Sequence, residues 1–154
     1  MATITLETRI NAPIETCFNL ARNIDVHLLS TVQTREKAVA GRTNGLIEFG
    51  ETVTWEAVHF GIKQCLTVKI TQLEFPNLFV DEMVSGAFKT MKHIHRFAAT
   101  EQGTLMTDEF SYTTPLGVLG RLFDVSILKR YMTAFLQKRN GLLKQLVENA
   151  AQQT

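Results

Sequence analysis

Polar and apolar residues alternate from Thr3 to Ile10, with Ile4, Leu6 and Ile10 on one face and Thr3, Thr5, Glu7 and Arg9 on the other. A period of two with one wet face predicts a strand. Asn11-Ala12-Pro13 predicts a helix start, because proline's fixed φ suits a first turn and Asn can cap it. Ile14, Cys17, Phe18 and Ala21 follow at helical spacing, and Ile24 to Leu29 predicts a second short helix. From Glu36 to Tyr112 the period returns to two. The predicted strands are Glu36 to Ala40, Leu46 to Phe60, Cys65 to Leu73, Leu78 to Val84, Phe88 to Ala98 and Thr104 to Thr113. Turns are expected at Gly41 to Gly45, Gly61 to Gln64, Phe75-Pro76-Asn77, Ser85-Gly86 and Glu101-Gln102-Gly103. Strands joined by short turns make an antiparallel meander.

Beyond Pro115 the spacing becomes helical and stays so. Leu119, Leu122, Val125, Leu128, Met132, Phe135, Leu142 and Leu146 form an apolar stripe, broken at Arg139. Gly117 and Gly120 predict irregular first turns, with a regular helix from near Asp124. Lys129, Arg130, Lys138 and Arg139 are expected on a solvated face. A helix this long needs a surface to cover, and the sheet is the only one on offer. The predicted fold is therefore α+β, in which a curved antiparallel sheet of about six or seven strands wraps around a long C-terminal helix. Two short helices follow the first strand, and residues 1–154 are read as a single domain.

Composition narrows the function classes. Of 154 residues, 45% are hydrophobic and 20% charged, which excludes a disordered chain. No apolar run approaches the ~20 residues that cross a bilayer, so no membrane insertion is expected. Sixteen basic against fifteen acidic residues give no overall attraction to nucleic acid or an anionic membrane. The N-terminal residues lack a signal-peptide layout, and a cytoplasmic location is expected. Cys17 and Cys65 have no metal or redox spacing and are read as core residues in a reducing compartment. Phosphate loops, a Gly-x-Ser-x-Gly elbow and a His-Glu-x-x-His helix are absent from the sequence.

The order of elements resembles the helix-grip fold of the START-like, or SRPBCC, superfamily. Ile10-Asn11-Ala12-Pro13-Ile14-Glu15, followed by Phe18-Asn19-Leu20-Ala21-Arg22, looks like that superfamily's strand-to-helix entry. Thr54 to Gly61, Asp81-Glu82, Gly86-Ala87-Phe88 and His93-Ile94-His95-Arg96-Phe97 are similar to a small bacterial branch. So is Asp108 to Tyr112 running into Pro115-Leu116-Gly117. The superfamily includes birch-pollen-allergen-like proteins, lipid-transfer domains and bacterial proteins labelled polyketide cyclase/dehydrase. The resemblance implies a cavity between sheet and helix that holds an apolar small molecule. It leaves the chemistry open.

His93 and His95 share one side of a strand with Met91 and Phe97, placing two imidazoles beside apolar neighbours. Such a pair could hold a metal, move a proton or bond a ligand oxygen. Asp108, Glu82 and His59 are possible third ligands, but none has a diagnostic spacing, and no metal or cofactor is expected. Asp108 introduces an acid among Met106, Phe110 and Tyr112, a costly burial unless His93, His95 or Arg96 pairs with it. Trp55, Ala57 and His59 repeat the mixture on the long strand, with Glu51 at the mouth and Glu56 facing water. Asp81 alternates with Phe79 and Met83.

The candidate ligand wall is Trp55, His59, Met83, Met91, His93, His95, Phe97, Asp108, Phe110, Tyr112, Phe123 and Phe135. The expected partner is an apolar or amphipathic small molecule, carried by a monomer or homodimer. A first alternative is a cyclase/dehydratase-type enzyme, with His93 or His95 abstracting a proton and Asp108 or Tyr112 orienting or protonating the substrate. A second is an interaction module whose cavity has collapsed, with an apolar patch near Val26, Leu28 and Leu29.

Overall fold

A computed structural model describes residues 1–154, apart from the side chain of Val125, which lies outside the described residues. Strand β1 is Ala2–Ile10, followed by helices α1 (Ile14–Ala21) and α2 (Ile24–Ser30) and a tight turn at Val32–Thr34. Strands β2 (Lys37–Gly41), β3 (Thr52–His59), β4 (Ile62–Glu74), β5 (Leu78–Ser85), β6 (Thr90–Thr100) and β7 (Gly103–Thr113) come next. Helix α3 spans Gly117–Phe123, and a π-helical segment at Asp124–Leu128 leads into α4, Lys129–Gln152. The strands form one seven-stranded sheet in the order β1-β7-β6-β5-β4-β3-β2, antiparallel throughout. It curves around α4.

Local chemistry sets the element ends. Asn23 caps α2, its side-chain oxygen accepting from the N–H groups of Asp25 and Val26. Asn11 does not cap α1, which has no side-chain cap; Glu148 on α4 instead accepts from the Asn11 N–H at 2.9 Å. The β3–β4 hairpin turns on Phe60 and Gly61, both at positive φ, the geometry whose twist matches that of the strands. This is tighter than the turn expected over Gly61 to Gln64, so β4 starts earlier.

Further expectations fail. The strand expected from Leu46 begins only at Thr52, because Gly45 and Gly50, both at positive φ, bend the chain. Ile47 enters the core, held at the end of α1 by Arg22, while Phe49 is exposed. The apolar stripe of the C-terminal helix also shifts. Within α4, Met132 and Leu143 lie eleven residues apart, about three full turns, so they share one face and Leu142 falls to its flank. Thus α4 buries Met132, Leu136, Leu143 and Val147, while Leu119 and Leu122 face water and Phe135, Leu142 and Leu146 are half-buried. Arg139, seven residues or about two turns after Met132, lies on the same face and is 4% exposed. It does not belong to a solvated face.

The interior is solid at one end and hollow at the other. Phe18 is fully buried and meets Phe75, Phe79 and Phe97 edge-on, at ring separations of 5.3–5.5 Å. Ile10, Met106, Leu143 and Val147 extend that core. Cys17 lies within it, but Cys65 is exposed, contrary to its reading as a core residue; both are free thiols. The outward phase of β4 accounts for Cys65, since Leu66, Val68 and Ile70 take the inward face.

Candidate functional site

The hollow end is a cavity of about 600 Å³ between the sheet and the first half of α4. Alternation in β3 turns Val53, Trp55, Ala57 and His59 inward, and β4 adds Leu66, Val68 and Ile70. Met91, His93 and His95 come from β6 and Phe110 from β7. The roof is Tyr131, Met132, Phe135, Leu136 and Arg139, and Phe123 stands at the mouth. Of the twelve candidate wall residues, Trp55, His59, Met91, His93, His95, Phe110, Phe123 and Phe135 face the cavity. The other four do not. Phe97 packs against Phe18, Met83 is half-buried outside the wall, Asp108 lies behind the histidines, and Tyr112 is fully buried. The Tyr112 hydroxyl donates to Asp124, so it has no access to the cavity.

The floor carries a charged cluster that joins four elements. Neighbouring register brings Asp81 of β5, His93 and His95 of β6 and Asp108 of β7 side by side. Nε2 of His93 lies 2.9 Å from Oδ1 of Asp108, and Nε2 of His95 lies 3.0 Å from Oδ1 of Asp81. Nδ1 of His95 is 2.8 Å from Asp108 Oδ1 without the alignment of a hydrogen bond, so that contact is one of charge. Asn140 on α4 donates to the other Asp108 oxygen at 2.7 Å, and its neighbour Arg139 places Nη1 at 3.8 Å from Oδ1.

Burial and charge then set the protonation states. Burial alone would raise the Asp108 carboxyl, but His93 and His95 hold it well below the usual range. Asp81 is likewise lowered against its burial, through the hydrogen bond from His95 and the charge of both histidines. His95 is raised despite burial, because Asp108 and Asp81 flank it. Burial and the neighbouring His95 push His93 down to about 4. At neutral pH the cluster therefore holds two carboxylates, a neutral His93 and the Arg139 guanidinium, with His95 pushed toward its protonated form. A neutral His93 beside a carboxylate must donate from Nε2, which leaves Nδ1 as an acceptor.

Arg139 is the under-used member. Its Nε has no partner, and Nη1 donates only to Asn140, at 3.2 Å. A buried guanidinium with so few bonds is costly, and this one borders the cavity. A second polar group lies nearer β2, where Glu36 pairs with His27 at 3.1 Å and His27 stacks on Trp55 at 4.1 Å. Burial would raise Glu36, yet His27 and Thr31 hold it low. His59, lowered by burial, shares a 2.8 Å hydrogen bond between its Nδ1 and the Tyr131 hydroxyl.

Asp81, His93 and His95 each bring one metal-ligand atom within 4.8 Å of the others. Ring nitrogens of both histidines are already directed at Asp81 and Asp108, and a cation would have to separate these pairs. Glu36, His27, Asn140 and the inward Arg139 escaped the sequence reading. Asn140 offered one signal, a polar residue of poor helix propensity in mid-helix beside a charge that breaks the stripe.

No protein-family model and no curated protein matches the chain. Solved structures do. TTHA0849 from Thermus thermophilus superposes with a TM-score of 0.80 at 18% identity, covering 97% of this chain and 99% of that one. Ginseng major latex-like protein 151 from Panax ginseng gives 0.68 at 14% identity, covering 94% and 95%. Ara h 8.0201 gives 0.63 at 14% identity, covering 95% and 97%. The chain has the helix-grip fold. In this helix-grip chain, the sheet's inner face and α4 enclose the cavity, and the polar cluster sits where β5, β6 and β7 meet the middle of α4. No helix is long and apolar enough to cross a membrane.

Proposed function

We propose that the protein binds a hydrophobic or amphipathic small molecule in the cavity between its sheet and α4. The observation that carries this reading is an open, mainly apolar space of about 600 Å³ with its charged groups gathered mainly at the Asp81–His93–His95–Arg139 cluster and the Glu36–His27 pair. That volume falls within the ~300–1,000 Å³ range of small-molecule sites. Affinity would come from apolar area removed from water, at roughly 25 cal/mol per Å² before the costs of association. Arg139, Nδ1 of His93 and Asp81 would orient the polar end. They offer one donor group and two acceptors, which suits a head that both donates and accepts, such as a hydroxyl or amide.

The geometry also supports acid–base catalysis, since His93 and His95 face the cavity and both approach Asp108. This is the second reading. A His93 pushed down to about 4 is a weak base at neutral pH. Tyr112, committed to Asp124, cannot serve as the proton donor. The interaction-module alternative requires a filled interior, which the open cavity argues against.

Native mass spectrometry of the purified protein, with extraction of whatever co-purifies, tests the carrier reading. Titration with phenylnaphthylamine, a neutral apolar dye, accompanies it. A bound small molecule or a saturable dye signal is expected. A ligand-free protein that takes up no dye overturns the proposal.

A further inference from the structure

The apolar wall continues out of the cavity onto the surface. Along and around α3, Leu116, Val118, Leu119, Leu122, Phe123 and Ile127 are 41–81% exposed. At the facing β3–β4 hairpin tip, Phe60 and Ile62 are exposed as well. The rings of Phe60 and Phe123 lie 5.9 Å apart, so the two groups form one patch across the cavity mouth. Soluble monomers rarely leave so many large apolar side chains together in water unless the patch contacts something. The backbone fixes their direction. Gly120 lies so close to Pro115 that an added Cβ would come within 1.9 Å of the Pro115 carbonyl oxygen. The small side of α3 therefore faces the protein and its large side chains face out.

Charge identifies the occupant. Between residues 114 and 131 the basic side chains Arg121, Lys129 and Arg130 are all exposed. The one acid in that stretch, Asp124, is buried and bonded to Tyr112. A net charge of +1 over the whole chain conceals this local excess, so the absence of overall attraction to an anionic membrane does not hold for this face. Apolar side chains flanked by cations fit the boundary between headgroups and acyl chains of an anionic bilayer. A second copy fits less well, because face-to-face pairing would bring Arg121, Lys129 and Arg130 near their counterparts.

We propose that α3, the adjoining π-helical turn and the β3–β4 hairpin tip dock this protein on an anionic phospholipid surface, with the cavity mouth against the bilayer. Docking needs no bound ligand, so it stands or falls apart from the carrier reading.

Vesicle flotation tests it, comparing phosphatidylcholine alone with an equal mixture of phosphatidylcholine and phosphatidylglycerol. The protein should float with the mixed vesicles and not with phosphatidylcholine alone. Val118→Asp with Leu122→Asp should abolish flotation; neither residue lines the cavity, so phenylnaphthylamine binding should persist as a sign of an intact fold. Replacing Arg121, Lys129 and Arg130 with Gln should weaken binding by roughly fivefold per charge. The proposal is overturned if the protein floats with neither vesicle, floats equally with both, or keeps its affinity in the Val118 and Leu122 variant. A concentration-dependent dimer that dissociates in that variant, with no vesicle binding by the wild type, overturns it in favour of a second copy.

Discussion

Nη1 of Arg139 on α4 lies 3.8 Å from Oδ1 of Asp108 on β7, beyond hydrogen-bond reach but close enough for charge pairing in a dry interior. Asp108 depends little on that contact, since His93, His95 and Asn140 already surround it. Arg139 is the opposite case, with one Nη1 bond and an orphaned Nε. The two residues share a cluster but carry different loads. Asp108 holds the sheet's charges together, while Arg139 keeps unpaired donor capacity at the cavity's edge.

Substitution should separate these loads. Asp108→Asn removes the buried carboxylate on which His93, His95 and Arg139 converge and should cost about 3–5 kcal/mol, as for a broken buried pair. Arg139→Met keeps length and apolar packing, removes a poorly bonded cation and should cost only about 1–2 kcal/mol. Urea unfolding at neutral pH gives both values. If Arg139→Met proves the more damaging, Arg139 is a structural strut and the division of labour is wrong.

Stability should peak near neutral pH, with a separate cause on each side. His93 is depressed to about 4, so between its unfolded value near 6.5 and about 4 the unfolded chain binds the extra proton. Stability therefore declines as the pH is lowered through that window, by up to about 3 kcal/mol. Below it, the lowered carboxyls of Asp108, Asp81 and Glu36 lose their contribution as they protonate. His95 is raised, so its contribution is complete below its unfolded value and is lost as pH rises through the folded one. Denaturant titrations across this range should show the acid limb flattened in His93→Gln. An unchanged limb would assign the proton uptake to another group.

The strands were legible because burial on one face writes a period of two into β1, β3 and β7. The phase of the last helix was not. Stepping from Met132 through Phe135 selects Leu142 and Leu146, whereas α4 buries Leu136, Leu143 and Val147, one residue or about 100° further round its axis. Arg139 lies on that buried face, and its charge reads as a surface break until the face is known. His93, His95 and Asp108 were visible as polar residues of inward parity. Their cross-strand partner Asp81 needed the register, which sequence alone does not supply.

Tyr112 links the end of the sheet to the base of the docking segment through its bond to Asp124. Tyr112→Phe keeps the ring but strands a buried carboxylate, at a cost of about 1–3 kcal/mol. Amide exchange should quicken across Gly117–Leu128 while β6 stays protected, because only that segment loses its tether. Uniform acceleration along the chain would mean that the bond supports the whole fold and not this segment in particular.

Ala57 provides the most direct test of where a ligand sits. It lies on β3 between Trp55 and His59, buried, with its side chain facing empty space. Ala57→Leu adds apolar area worth about 1–2 kcal/mol if it fits, against strain of similar size, so stability should stay within about 1 kcal/mol of wild type. The filled volume is no longer open to a ligand, and affinity for phenylnaphthylamine should fall at least about tenfold, a loss of some 1.4 kcal/mol. Val58→Leu on the opposite face of the same strand changes strand chemistry without touching the cavity and should leave dye binding unaltered. Equal dye affinity in Ala57→Leu and wild type would place binding elsewhere, most simply on the exposed patch at α3, and the cavity would lose its standing as the ligand site.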